Sequence, residues 1–236
     1  MRRLLAAALL ALVAGPVQAQ EVLDLVDPAR GRPVPTLLYG AQPGAPRPLA
    51  VISNGYGGSH ANYRFIAEAL VARGLVVASV RQDLPGDPAM ATEGNLRVLR
   101  RPFWETGADT LLYLAGELRA RGLADASPLV LVGHSNGGDI SMLFAERHPE
   151  KVRAVLSLDN RRMPLPRTAR PRVCSVRASD VPADPGVLPD AAEQARLGIL
   201  VAKVPGLRHN DMGDGAAPEH KTAMLAALDA CLDGAR

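Results

Sequence analysis

Residues 129–138 read LVLVGHSNGG: the apolar run Leu129-Val130-Leu131-Val132, then Gly133-His134-Ser135-Asn136-Gly137, then Gly138. A short apolar run closed by glycine predicts a strand buried on both faces. Gly137–Arg147 then carries apolar residues at helical spacing and is ended by Pro149. Between strand and helix, G-x-S-x-G predicts a sharp turn in strained backbone, with small residues needed on either side of Ser135. Such a turn lifts the serine hydroxyl above the sheet edge and aims the N-terminus of the following helix at it. Ser135 is therefore the first candidate functional residue.

The same alternation extends in both directions. Val22–Val26 and Thr36–Tyr39 read as short strands around the Gly31-Arg32-Pro33 turn, and Leu49–Ser53 as a short apolar strand. Tyr63–Arg73 has helical spacing before Gly74, Leu75–Val80 is a strand, and Trp104–Arg121 is a helix stopped at Gly122. Beyond the elbow come strands at Val152–Leu158, Val173–Val176 and Ile199–Val204, a helix near Asp190–Leu197 and an amphipathic closing helix at Pro218–Leu232. Apolar strands alternating with helices imply an α/β fold: a doubly wound, mostly parallel sheet with helices on both faces. The crossovers are right-handed. No linker, repeat or low-complexity stretch interrupts residues 20–236, which read as one domain.

Composition agrees. The 236 residues are 47% hydrophobic and 22% charged, which excludes a disordered chain. With aromatics at 3% the core must be built from Ala, Val and Leu. Residues 1–19 begin with Arg2 and Arg3, continue apolar from Leu4 to Gly15 and end in Val17-Gln18-Ala19, the pattern of a cleavable signal peptide. The run is too short to span a membrane, for which about 20 apolar residues are needed. Its removal takes two of the 27 Lys and Arg and none of the 24 Asp and Glu, so the net charge of +3 falls to +1. No basic block remains to recruit nucleic acid or an anionic membrane. The expected location is periplasmic or secreted, with no stable membrane anchor. Cys174 lies in a strand-like run and Cys231 in the closing helix. Two buried free thiols are expected, with a single disulfide as the alternative. Neither has the company of a metal site, and no cofactor is implied.

Ligands of an open parallel sheet bind at the carboxyl ends of its strands. Polar or glycine-rich sequence follows five of them: Asn54–Gly58, Gly133–Gly137, Asp159–Arg162, Ser179-Asp180 and Arg208–Asp211. With these residues in view, the chain resembles the α/β-hydrolase family, its carboxylesterase and dienelactone-hydrolase-like members in particular. The segment DPARGRPVPTLLY (Asp27–Tyr39) is similar to the start of secreted, platelet-activating-factor-acetylhydrolase-like relatives.

The resemblance implies a triad in the chain order Ser, acid, His. Ser135 would be the nucleophile, His209, after the last strand, the base, and Asp180, after VCSVRAS, the acid. Asp159, one strand earlier, and Asp184, in a Pro-rich loop, are the alternative acids. The oxyanion hole would use the backbone N–H groups of Asn136 and of Tyr56, in the SNGYGG loop that resembles the family's H-G-x-G. Here Asn54 stands where that pattern has His, so the loop's supporting hydrogen bonds must differ. Arg161 and Arg162 are candidates to grip an acidic substrate group, or else to form structural ion pairs with Asp159 or another acid.

The connection from Leu158 to Val173 is about fourteen residues and rich in proline, too short for a large lid domain. The longer excursion is Arg81–Pro102. The implied reaction is cleavage of small or short-chain carboxylic esters through an acyl-enzyme. A serine peptidase or amidase, and a non-catalytic binding protein on the same fold, are the alternatives.

Overall fold

The computed structural model describes residues 20–235. The expected signal peptide, residues 1–19, lies outside the described residues. Eight strands form one sheet: β1 (Glu21–Asp27), β2 (Arg32–Tyr39), β3 (Leu49–Ser53), β4 (Val76–Val80), β5 (Leu129–His134), β6 (Val152–Leu158), β7 (Arg172–Arg177) and β8 (Leu200–Lys203). Their spatial order is β1-β2-β4-β3-β5-β6-β7-β8. The pairs β1–β2 and β2–β4 are antiparallel, and all others are parallel. The helices are α1 (Arg64–Ala72), α2 (Leu96–Ala120), α3 (Asn136–Arg147), α4 (Ala191–Leu197) and α5 (Pro218–Asp233).

The central strands are apolar at every position because both faces are covered. Side chains alternate across the pleat, and the sheet accordingly has two cores. Leu49, Val51, Leu129, Leu131 and Val155 face α2 and α3, packing on Trp104, Leu111, Ile140 and Phe144. Ala50, Ile52, Val130, Val132 and Leu156 face α1 and α5, packing on Ile66, Leu70, Met224 and Leu228. Among the described residues no helix is long and apolar enough to cross a membrane.

Two features depart from expectation. Helix α2 begins at Leu96 rather than Trp104, running through Pro102. A proline inside a helix gives up the bond to the carbonyl four residues back, here that of Val98, in a first turn that is exposed to water. The Asn95 side chain caps this extension by accepting from Val98 N–H. The excursion therefore splits into a loop over residues 81–95 and an extra stretch of helix. The second departure is that Cys174 and Cys231 form a disulfide, tying β7 to α5 from within the core. Burial and residue spacing fit free thiols and a bridge equally well in the sequence; the packing of α5 on β7 brings the two sulfurs together.

The bridge closes a loop over a sequence separation of 57 residues, which restricts the unfolded chain substantially. Replacing both cysteines with alanine is expected to lower the unfolding free energy by about 2–4 kcal/mol. Urea denaturation would register it as a lower midpoint, and an unchanged midpoint would refute a stabilising role.

Candidate active site

Backbone contact builds the elbow. A Cβ on Gly133 would lie 2.2 Å from the Gly137 carbonyl oxygen, and one on Gly137 would lie 2.3 Å from that of Ser53. Only glycine lets α3 start so close to β5 and β3. Ser135, between them, is held at φ 51° and ψ −117°, and its N–H donates to the Leu158 carbonyl at 2.9 Å. Asp159, the residue after β6, also has positive φ, at 54°; among the described residues these are the two non-glycine cases. Strain of this kind costs about 1–3 kcal/mol per residue and collects where a side chain must be aimed.

The two aimed side chains meet through His209. Its imidazole, 7% exposed, has Nε2 2.9 Å from Ser135 Oγ and Nδ1 2.6 Å from Asp159 Oδ2. The carboxylate on the imidazole is thus that of Asp159, which corrects the assignment of that position to Asp180. Asp180 Oδ1 accepts instead from the His209 backbone N–H at 2.9 Å. Asp184 lies exposed, with its backbone N–H on the Arg161 carbonyl.

Asp159 is fully buried, and its other oxygen faces the Arg177 guanidinium at 2.7 Å and accepts from Ala178 N–H at 3.1 Å. Burial pushes this carboxyl up, but the His209 hydrogen bond, the Arg177 charge and the Ala178 N–H together hold it below the ordinary carboxylate range. It is therefore ionised at neutral pH and accepts from Nδ1–H, leaving the Nε2 lone pair turned toward Ser135. Arg177, at the end of β7, occupies the ion pair that the sequence offered to Arg161 or Arg162. Arg161 reaches the imidazole itself, with a guanidinium nitrogen 3.2 Å from Nε2.

On the other side of Ser135, neither the Tyr56 nor the Asn136 backbone N–H has a protein acceptor among the described residues. Asn136 is anchored through its side chain, whose Oδ1 accepts from Trp104 Nε1 at 3.0 Å. The Tyr56 loop is braced by Asn54. Its Nδ2 lies within 3.0 Å of the Gly55 and Gly58 carbonyls and of Asp83 Oδ1, and its Oδ1 accepts from Gln82 N–H. Asp83 also receives the Gly57 N–H. Asn thus supplies the support for which the resembled loop uses His. Tyr56 and Asn136 border a cavity of about 200 Å³ with walls from Phe103, Ile140, Pro88 and Pro102.

Sequence reasoning missed Tyr63, Trp104, Asp83 and Arg177, whose roles rest on contacts remote in the chain. It also left His134 without a role. His134 Nδ1 accepts from the Tyr63 hydroxyl at 2.9 Å, and that hydroxyl accepts from Gly55 N–H. His134 Nε2–H donates to the His209 carbonyl at 2.8 Å. Burial, and then the neighbouring His209, push His134 down to about 4, while burial raises Tyr63 to about 12. Both are neutral at pH 7. Among the described residues no cluster of three or more His, Cys, Asp and Glu could hold a metal.

The alpha/beta hydrolase fold family matches the chain over residues 48–203, and the chain belongs to that family. No curated protein matches it by sequence. Among solved structures it is similar to an esterase from Pyrobaculum calidifontis, at 15% identity and TM-score 0.67, covering 92% of this chain and 85% of that one. It is likewise similar to a thermostable carboxylesterase cloned from a metagenomic library, at 14% identity and TM-score 0.67, covering 94% and 90%. Monoglyceride lipase from Saccharomyces cerevisiae matches at 12% identity and TM-score 0.63, over 93% and 96%. At these identities the likeness is one of fold.

A histidine whose folded value of about 4 lies below its unfolded value near 6.5 binds fewer protons when folded. Its contribution to stability is therefore complete above about 6.5 and is lost as pH falls toward 4, by up to ~3 kcal/mol. His134→Gln lacks this loss. The stability gap between wild type and variant should narrow between pH 7 and pH 4.5 in urea titrations, and a constant gap would count against a buried neutral His134.

Proposed function

We propose that this chain is a serine hydrolase cleaving small or short-chain carboxylic esters through an acyl-enzyme, with Ser135 as nucleophile, His209 as base and Asp159 as the acid that orients it. The observation that carries this reading is the imidazole bridging Ser135 Oγ at 2.9 Å and Asp159 at 2.6 Å. Both contacts are hydrogen bonds in the free protein, so the proton path exists before substrate arrives.

Ser135 Oγ attacks the ester carbon as its proton passes to Nε2. Asp159, fully buried, stabilises the imidazolium by about the strength of a charge-assisted hydrogen bond. The unpartnered N–H groups of Tyr56 and Asn136 receive the developing oxyanion, which costs little reorganisation because Asn54, Asp83 and Trp104 already fix their segments. Nε2–H then protonates the leaving alcohol, and water returns along the same path to release the acid. The cavity of about 200 Å³ beside these N–H groups suits a short acyl chain.

The reading extends to location: residues 1–19 serve as a cleaved leader and the mature chain works in the periplasm or outside the cell. The buried disulfide supports this, since such bonds persist in oxidising compartments.

Ser135→Ala should fold normally, lose labelling by a fluorophosphonate probe and lose p-nitrophenyl acetate hydrolysis by roughly 10³-fold or more. Near-normal turnover would eliminate the nucleophile. Between the two aspartates, Asp159→Asn should cost on the order of 10²–10⁴-fold in kcat, because the amide favours the wrong imidazole tautomer. Asp180→Asn keeps an acceptor for the His209 N–H and should stay within about tenfold of wild type. The reverse ranking would return the acid to Asp180.

A further inference from the structure

The contact between Arg161 and His209 has no place in the proton path. A guanidinium cannot accept a proton, so its nitrogen 3.2 Å from Nε2 donates to the lone pair that Ser135 also uses. The two contacts meeting at Nε2 place this cation within about 6 Å of Ser135 Oγ. The Nε atom of Arg161 is buried with no partner, and so is that of Arg162, the next residue. Among the described residues neither forms an ion pair, and nor does Arg100, whose side chain is tied only to the Ala91 carbonyl.

All three side chains are half-buried, and a partly desolvated cation without a counterion is costly unless something else supplies the negative charge. The three feel one another: burial, then the charges of Arg162 and Arg161, push Arg100 below the ordinary guanidinium value. The acids within reach offset them only in part: Asp139 and Asp184 act on Arg100 against the two neighbouring arginines, and Arg100 still lies below the ordinary guanidinium value. Asp139 is committed to the N–H groups of Arg162 and Met163 and to Asn160, Asp159 to Arg177 and His209, and Asp184 is exposed to solvent.

We propose that Arg161, backed by Arg162 and Arg100, is a subsite for a carboxylate on the leaving-alcohol side of the ester, so that the substrates are short-chain acyl esters of hydroxy acids. This rests on the hydrolase reading above and names its substrate class. The side of the ester follows from Nε2, which must protonate the leaving oxygen and which Arg161 also touches, whereas the cavity at Tyr56 and Asn136 lies by the oxyanion donors and takes the acyl chain. About 6 Å from Oγ is reached by a carboxylate one or two carbons beyond the leaving oxygen, at ~1.5 Å per bond.

In the reaction, Ser135 Oγ bonds to the acyl carbon and the bond from that carbon to the hydroxy acid's oxygen breaks. The serine proton passes through Nε2 to that oxygen, and the hydroxy carboxylate departs. Water then splits the acyl-enzyme, giving the short carboxylic acid and free Ser135.

The test compares kcat/KM for O-acetyl lactate, for its neutral methyl ester and for monomethyl succinate, whose carboxylate lies on the acyl side. Wild type should prefer O-acetyl lactate over its methyl ester by about 10- to 100-fold, the size expected of a charge-assisted hydrogen bond. That ratio should fall toward 1 in Arg161→Gln, and partway in Arg162→Gln, which does not touch the imidazole. The ratio is read rather than the rate, because Arg161→Gln also changes the surroundings of Nε2. A wild-type ratio near 1 with brisk methyl-ester turnover overturns the subsite and leaves the hydrolase reading intact. A preference for monomethyl succinate overturns the leaving-group assignment, and no turnover of any ester together with no fluorophosphonate labelling overturns both readings.

Discussion

The approach of Gly133 to Gly137, and of Gly137 to Ser53, is closer than any side chain permits, and the rest of the site is built on it. It presses the start of α3 into the sheet between β3 and β5. Ser135 then has to take a backbone conformation that an L-residue occupies only under constraint. The constraint also orients what surrounds it: the Ser135 N–H locks onto the last carbonyl of β6, so Ser135 and the residue after β6 are fixed relative to each other through one hydrogen bond. That residue is Asp159, itself at positive φ. Ser135 and Asp159, which meet at one imidazole, are thus registered by the sheet.

Electrostatics completes what the backbone begins. A fully buried carboxylate would ordinarily take up a proton. Asp159 escapes this because each oxygen is assigned, one to His209 and the other to Arg177 and the Ala178 N–H. Arg177 is itself nearly inaccessible, so its desolvation is tolerated only with Asp159 opposite; removing either would strand the other. The pair spans the neighbouring ends of β6 and β7, so the sheet register that forms the core also sets the charge on Asp159.

The fold was largely legible because strand, elbow and helix announce themselves through local pattern: an apolar run, glycines at fixed spacing, helical periodicity. The positions of Ser135 and His209 followed from the same logic of strand ends. The acid did not. Asp180 and Asp159 both follow apolar strands, and only the three-dimensional course of the chain decides which carboxylate faces the imidazole. One sequence signal pointed to the answer: Arg177 sits inside VCSVRAS, a run too apolar to bury a cation unless a carboxylate stands on the adjacent strand. The disulfide and the early start of α2 were illegible for a comparable reason, each depending on a tertiary contact or on solvent at one turn.

The two aspartates divide the work of holding one residue. Asp159 grips the ring and Asp180 grips the main chain of His209, while His134, one residue before Ser135, accepts from Tyr63 and donates to the His209 carbonyl. Tyr63 in turn accepts from Gly55 N–H, in the loop that carries Tyr56. A chain of neutral hydrogen bonds therefore runs from the Tyr56 loop, past the elbow, to the backbone of His209. Under the proposed mechanism this neutrality matters: a second imidazolium beside His209 would oppose the charge forming there, whereas a buried uncharged His134 fixes position without adding to the field. Among the described residues, Asp159 behind the imidazole has Arg177 as its ion-pair partner, whereas Arg161 in front of Nε2 forms no ion pair.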